Sequence, residues 1–333
     1  MHLPRYPWGS PKEKDMTVCI AAACDNGERI VTATDGLLSM GDVTGEGIPG
    51  KMLWYGDWQF MYAGTPSIFS LVMEEIENAS INDPQVLSRR HVQETILHAY
   101  QKVRSRLASF PFLSPFNMTI EDFKQDGLNA FGETFHNEVL RAISDEARRA
   151  DDQLLVTGWG MSPLSAMVYE VGPSGDRLHT KSGFGAIGSG SQMAYTMLIL
   201  LEQARYRTLA ETIFNVACAK FFSEKSKDLD VGKMTAVCVL RKRTGEDEAD
   251  KACRQFVSLE DLDILRSIWD QHLRPRIPDE ARIEITGIAA RVNAGNITPH
   301  DMVKHFKAQQ RINEKRGISS QAPLSPQSTK DDS

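Results

Sequence analysis

Two apolar runs joined by an Asn-Gly turn limit what the start of this chain can form. The segment TVCIAAACDNGERIVTATDG, residues 17–36, has runs rich in alanine and β-branched residues on either side of DNGE. An Asn-Gly pair between two such runs is a strong signal for a tight hairpin. The sequence therefore predicts an antiparallel pair of strands here, with Thr17 at its head.

The same alternation of strand and helix signals continues along the chain. KMLWYGDWQFMYAG, residues 51–64, predicts two more strands, and helical spacing follows from Pro66 and again over residues 89–110. We interpret residues 111–122 as a loop in which Thr119 is placed to cap the next segment, and predict a helix over 135–150. Two strands (QLLVTGWG and AMVYEVGP), a glycine-rich turn (TKSGFGAIGSGS), two helices and a last strand (MTAVCVLRK) complete the pattern.

The order of these elements indicates the fold class. Strands occur as hairpins and helices occur as pairs, which favours antiparallel sheets with helices segregated onto their faces. We therefore predict an α+β protein, a four-layer αββα sandwich of two antiparallel sheets, with a helical C-terminal extension.

Composition shifts divide the chain into four predicted parts. Residues 1–16 form an irregular N-terminal extension, and residues 17–243 form the main domain. Residues 244–315 contain a charged linker and a helical extension, in which Ser258 and Asp261 form a predicted capping box and further helices fall near 299–313. Residues 316–333 are polar, rich in proline and serine, and predicted to be disordered.

Bulk properties argue against several classes of function. The net charge of −6 and the absence of a basic stripe argue against a nucleic-acid surface. The five cysteines form no CxxC pair and the eight histidines show no metal spacing, so we expect neither cofactor nor metal. No apolar stretch approaches the ~20 residues that cross a bilayer, and the N-terminus has no signal-peptide core. We expect a cytoplasmic protein with no membrane partner.

Four positions in the first half of the chain carry possible chemistry. Thr17 heads the first strand, Asp35 ends the second, and Lys51 follows sixteen residues after that aspartate. A lysine beside a carboxylate stays charged and is able to polarise a hydroxyl or lower the pKa of a nearby amine. The fourth strand ends at Gly64, where an unhindered backbone N–H is suited to a developing oxyanion.

In combination, these segments resemble the N-terminal part of HslV and the proteasome β-subunits. That resemblance implies an N-terminal-nucleophile (Ntn) hydrolase fold with Thr17 as the nucleophile, Lys51 and Asp35 as its charged partners, and Gly64 as the oxyanion donor. In the later family segment, Ser189 of IGSGS matches a serine that lies near the N-terminal amine. Asp228, or alternatively Asp230, matches a second acid, and Val231 falls where a second serine is expected. The resemblance covers residues 17–242, with an insertion around 111–135.

The resemblance implies a threonine-type peptidase that needs no cofactor and assembles as a ring-like homo-oligomer. Whether an ATPase serves as a partner is left open. Two other hypotheses stand beside it: an amidohydrolase of small amides, and an inactive subunit that keeps the fold for assembly. Catalysis requires Thr17 to carry a free amine. Met16 precedes Thr17, and we expect translation to begin there, with removal of the initiator methionine exposing the nucleophile.

Overall fold

A computed structural model describes most of the chain between Thr17 and Gly295. The described residues are 17–40, 43–46, 51–80, 89–149, 151–159, 166–225, 231–242, 253–272, 277 and 279–295. The predicted N-terminal extension, the helices near 299–313 and the C-terminal tail lie outside them.

Twelve strands are present in the described residues. They are β1 (Cys19–Cys24), β2 (Arg29–Asp35), β3 (Leu37–Met40), β4 (Val43–Glu46), β5 (Met52–Tyr55), β6 (Trp58–Ala63), β7 (Gln153–Trp159), β8 (Ala166–Gly172), β9 (Gly175–Leu178), β10 (Phe184–Ile187), β11 (Thr235–Arg241) and β12 (Arg254–Phe256). One five-stranded sheet has the order β10-β1-β2-β11-β12 and a second has the order β5-β6-β7-β8-β9. Every pairing within them is antiparallel.

Helices cover the outer face of each sheet. The described residues contain α1 (Pro66–Ser80), α2 (Arg89–Leu113), α3 (Ile120–Phe131), α4 (Glu133–Arg149), α5 (Ser191–Leu200), α6 (Leu209–Glu224), α7 (Leu259–His272) and α8 (Asp279–Asn293). Helices α1 and α2 share a core with the second sheet, and α5 to α8 share one with the first. A third cluster lies between the two sheets. The predicted four-layer αββα sandwich is confirmed.

Strand β1 is buried on both faces, and its sequence explains how. Val18, Ile20 and Ala22 belong to the core beneath the helices, whereas Cys19 and Ala21 belong to the core between the sheets. Successive side chains of a strand point to opposite faces, so a run of small apolar residues serves both cores. The strand that Thr17 precedes is therefore held from both sides.

The sequence predicted a turn for the glycine-rich segment before α5, but part of this segment is a strand. Residues 184–187 form β10, which pairs with β1 through Ile20↔Ala186 and its neighbours. The loop predicted for 111–122 is also wrong in part, because α2 continues to Leu113 and α3 begins at Ile120. Thr119 does cap α3, through a capping box with Asp122.

The C-terminal segment packs into the first helical layer. Strand β12 pairs with β11, and α8 lies against α6. Leu265 of α7 and Ile285 of α8 are buried in the same cluster as Phe214 of α6. No helix of the described residues is both long and apolar enough to span a membrane.

Truncating Leu265 is expected to destabilise the whole molecule. Leu265→Ala removes a fully buried side chain from the α6–α7 contact, which we expect to lower the free energy of unfolding by about 3 kcal/mol. The neighbouring Ile264 is 37% exposed, so Ile264→Ala is expected to cost less than about 1 kcal/mol. Urea unfolding of both variants checks this. Equal losses would mean that α7 is not part of the cooperative core.

Candidate active site

The backbone of Thr17 is hydrogen-bonded to the short segment between β10 and α5. Its backbone N–H donates a hydrogen bond to Ser189 Oγ at 3.1 Å. Its carbonyl oxygen accepts from the Gly190 N–H at 3.2 Å and from the Ser189 hydroxyl at 3.5 Å. Because Ser189 and Gly190 lie between β10 and α5, the strand that the sequence did not predict places the serine beside Thr17.

The side chain of Thr17 meets the predicted lysine. Lys51 Nζ donates to Thr17 Oγ1 at 2.8 Å and to Asp35 Oδ1 at 2.5 Å. All three residues are buried, and Asp35 is fully so. The aspartate fixes the direction of the ammonium group, and the ammonium group in turn contacts the hydroxyl of Thr17. Four of the predicted site residues, Thr17, Asp35, Lys51 and Ser189, are thus neighbours in space.

Burial and charge act in opposite directions on Asp35. Burial raises its pKa, whereas the charges of Lys51 and Lys220 and the backbone N–H of Gly232 lower it. The Gly232 N–H does not form a hydrogen bond of normal geometry with Asp35 Oδ2. That oxygen has no hydrogen-bond partner among the described residues. Burial also raises the pKa of the nearby Cys19 thiol, so this cysteine is unsuited to act as a thiolate nucleophile.

One glycine allows the backbone to approach Thr17 closely, and a second glycine nearby in the fold packs against Asp152. Gly188 has a φ of +87°, and a Cβ there would lie 2.2 Å from the carbonyl oxygen of Thr17 and 3.2 Å from the side chain of Ala63. Gly64 follows Ala63 with a φ of +124°, and its Cβ would lie 2.4 Å from Asp152 Oδ1. Only glycine fits both the conformation and the space at these positions. Gly64 is therefore next in the chain to Ala63, whose side chain borders Gly188. The role of Gly64 as oxyanion donor stays a prediction.

Both candidates for the second predicted acid, Asp228 and Asp230, lie outside the described residues. Val231, where the resemblance calls for a serine, is buried and borders Gly190. Ser223 of α6 donates to the Gly190 carbonyl at 3.1 Å, so a hydroxyl does support the Ser189 turn from a helix. The sequence analysis missed Ser223 because nothing in the sequence of α6 relates it to a turn 33 residues earlier.

A second buried lysine near Asp35 was also missed. Lys220 is fully buried in α6, and its charge acts on Asp35. A signal was present, since NVACAKFFSE has one lysine within an otherwise apolar run and lysine is almost never fully buried unless paired. Among the described residues, no group of three or more His, Cys, Asp or Glu side chains is arranged to hold a metal.

The arrangement is suited to activating a hydroxyl. A fixed cation contacts Thr17 Oγ1 and an acceptor contacts the Thr17 backbone nitrogen, and both Thr17 and Lys51 are buried. A positive charge beside a hydroxyl favours its deprotonated form, the stronger nucleophile. A buried nucleophile that is fixed in position is a common feature of covalent catalysis.

The fold belongs to a structural class, the four-layer sandwich of proteasome-like proteins. No model of a known protein family matches the chain, and no curated protein sequence matches it. Among solved structures, Anbu (ancestral beta-subunit) from Yersinia bercovieri is similar with a TM-score of 0.51 at 11% identity, covering 77% of this chain and 94% of that one. At this identity the similarity shows the fold alone.

Two further solved structures are similar at lower scores. An Anbu (Gly-1) mutant from Hyphomicrobium sp. strain MC1 has a TM-score of 0.46 at 15% identity, covering 77% of this chain and 94% of that one. The eukaryotic HslV from Trypanosoma brucei has a TM-score of 0.40 at 16% identity, covering 68% of this chain and 99% of that one.

Proposed function

We propose that this chain is a threonine-nucleophile hydrolase that cleaves peptide bonds through Thr17. The contact of Lys51 Nζ with Thr17 Oγ1 at 2.8 Å carries the proposal, because Asp35 fixes that lysine in a buried site at the head of a central strand. A buried lysine paired in this way is unusual as a purely structural feature, since most charges of a folded protein remain in water.

The reaction is acyl transfer. The Thr17 hydroxyl attacks an amide carbonyl while the free α-amine of Thr17 accepts its proton, and the leaving amine departs with a proton. Lys51 stabilises the negative charge that develops on Oγ1, and the Gly64 N–H serves the oxyanion. Water then hydrolyses the ester and regenerates Thr17. Ser189, whose Oγ is 3.1 Å from the Thr17 nitrogen, orients the amine.

The first test joins processing to reactivity. The chain is expressed from Met16 and also in full, and each product is sequenced from its N-terminus and treated with a β-lactone. We expect Thr17 at the N-terminus of the shorter product and a single adduct that peptide mass spectrometry assigns to Thr17. An exposed Thr17 that takes up no adduct would refute the proposal and favour an inactive subunit.

Removing the Ser189 hydroxyl is expected to slow the reaction without unfolding the protein. Ser189→Ala deletes the acceptor for the Thr17 nitrogen, so we expect the acylation rate to fall about tenfold, as for the loss of one hydrogen bond that orients the amine. Ser182 lies in the same segment, and within the described part of the chain its hydroxyl donates only to the Phe184 carbonyl, at 3.2 Å. Ser182→Ala serves as the matched control and should react at the wild-type rate. Time courses of adduct mass measure both variants.

We further propose that the protein works as a ring-like, cytoplasmic homo-oligomer. Support comes from the similar structure described as an ancestral beta-subunit, a term for one member of an assembly. Sedimentation velocity at several protein concentrations tests the assembly, and a monomer at all concentrations would contradict it.

A further inference from the structure

The buried Lys220 has no role in the reaction proposed above. It is fully buried in α6, where Nζ donates to Glu224 Oε1 at 2.5 Å and to the Gly232 carbonyl at 2.7 Å. Burial lowers its pKa, whereas the charges of Glu224 and Asp35 raise it. A buried charge pair of this kind is costly to form, and apolar side chains in place of both partners would often be as stable.

The network of Lys220 continues into the C-terminal segment. Arg266 of α7 binds the Glu224 carboxylate through both of its terminal nitrogens, and it also donates to Thr235 Oγ1 at 3.2 Å. Its guanidinium group lies 4.1 Å from the centre of the Phe221 ring. Thr235 is the residue directly opposite Asp35 in the β2–β11 pairing. The network therefore reaches the site through both the helix and the sheet.

We propose that Lys220, held by Glu224 and Arg266, is a positioning residue that supports the Asp35 carboxylate, by its charge and through the β2–β11 pairing at Thr235, in its alignment for Lys51. Through Arg266, helix α7 then becomes part of the support of the active site. The proposal rests on the proposed function and extends it to residues that touch neither Thr17 nor a substrate.

The charges around Asp35 alternate in sign along this path. Lys51 and Lys220 act on Asp35 from two elements, Glu224 compensates Lys220, and Arg266 compensates Glu224. Cys19 of β1 and Tyr62 of β6 also face this carboxylate, but burial raises the pKa of both, Tyr62 to about 12, so neither is charged near neutral pH. Lys220 is thus the second cation acting on Asp35, and it is held in place by the Gly232 carbonyl as well as by Glu224.

The consequence of removing Lys220 has a definite sign. Asp35 would lose a charge that favours its ionised form, so it would hold its proton to a higher pH. A protonated Asp35 no longer orients Lys51 as an ion pair, and acylation of Thr17 would slow. The loss of a buried cation also favours the protonated form of the Thr17 α-amine, the base of the proposed reaction, so both titrations act in the same direction. In Lys220→Met we expect the acid limb of the rate to move to higher pH, with about a tenfold loss below it and little loss at pH 9.

The decisive experiment compares three lysine and arginine variants. Acylation rates are measured from pH 5.5 to 9 for Lys220→Met, Arg266→Met and Lys225→Met. Lys225 lies at the end of the same helix and pairs with Asp270 of α7 at 2.6 Å, with both side chains about half exposed. We expect a smaller upward move for Arg266→Met and none for Lys225→Met. A loss of equal size at every pH in Lys220→Met would indicate loosened structure and overturn the proposal.

A second measurement on the full-length chain separates this proposal from the proposed function. The drop in the thermal unfolding midpoint caused by Lys220→Met is measured twice, once in the chain with Asp35 and once in the chain that carries Asp35→Asn. We expect the drop to be larger with the aspartate by about 3 °C or more, because only the carboxylate interacts with the ammonium charge. Additive drops would refute the coupling even if Thr17 is reactive. If the two drops differ but Thr17 is unreactive, the proposed hydrolase function would be refuted, whereas the interaction of Lys220 with Asp35 would stand. Lys220→Gln replaces Lys220→Met if the latter does not fold.

Discussion

In a chain carrying Lys51→Met, acylation of Thr17 by a β-lactone is expected to slow about 10³-fold, the effect of deleting one preorganised donor from a developing charge. The same change leaves Asp35 fully buried without its ion-pair partner at 2.5 Å. We expect the free energy of unfolding to fall by about 3 kcal/mol as a result. Adduct mass against time measures the rate, and urea unfolding measures the stability.

A double variant separates the two effects. Lys51→Met combined with Asp35→Leu replaces the whole pair by apolar groups, which often restores stability, but it cannot restore the contact with Thr17 Oγ1. Lys102 forms a surface pair with Glu75 at 2.6 Å and is 57% exposed, so Lys102→Met should change neither quantity. If the double variant regained both stability and rate, Lys51 would be a structural residue only.

The second large effect is expected at Gly188. In Gly188→Ala, the new methyl group would meet the Thr17 carbonyl oxygen at 2.2 Å, and the backbone would keep a φ of +87°. We expect a loss of stability of about 3 kcal/mol. We also expect at least about a 10²-fold slower acylation, because relief of the clash displaces Thr17 from Lys51.

Gly56→Ala is the matched control for this prediction. Gly56 has a φ of +57° in the β5–β6 turn, and no atom lies within 4 Å of the position that a methyl group would occupy there. Only the conformational term remains at this turn, so we expect a loss of about 1 kcal/mol and an unchanged rate. Equal effects at Gly188 and Gly56 would contradict a steric role for Gly188. Circular dichroism with urea, together with the adduct time course, tests both variants.

Local chemistry explains what was predictable from the sequence. The turn at Asn26 and Gly27 uses positive φ angles that these residue types tolerate, and the flanking runs pair from Cys19↔Thr34 to Cys24↔Arg29 as expected. The spacing of Asp35 and Lys51 was informative through the family resemblance. In the structure the end of β2 and the residue before β5 meet, although β3 and β4 lie between them in the chain. The fold class followed from the order of hairpins and helix pairs.

Non-local pairing explains what was not predictable. Strand β10 is four residues long and carries Gly185, so its sequence alone is typical of a turn, and only its pairing with β1 makes it a strand. Helix α8 was missed as well, and the further helices were expected nearer to 299–313. Lys220 is adjacent to the site only because α6 packs across β2, a relation that no local pattern contains.

The outermost strands of both sheets are short, and this has a consequence for how copies of the chain are able to meet. Among the described residues, β5, β9 and β10 have four residues each and β12 has three, whereas the strands inside the sheets have six or seven. A long open edge is a template for pairing with another chain and for aggregation, and short edges limit both. The short outer strands therefore favour contacts between copies through helices and loops over a continuous sheet shared by two chains.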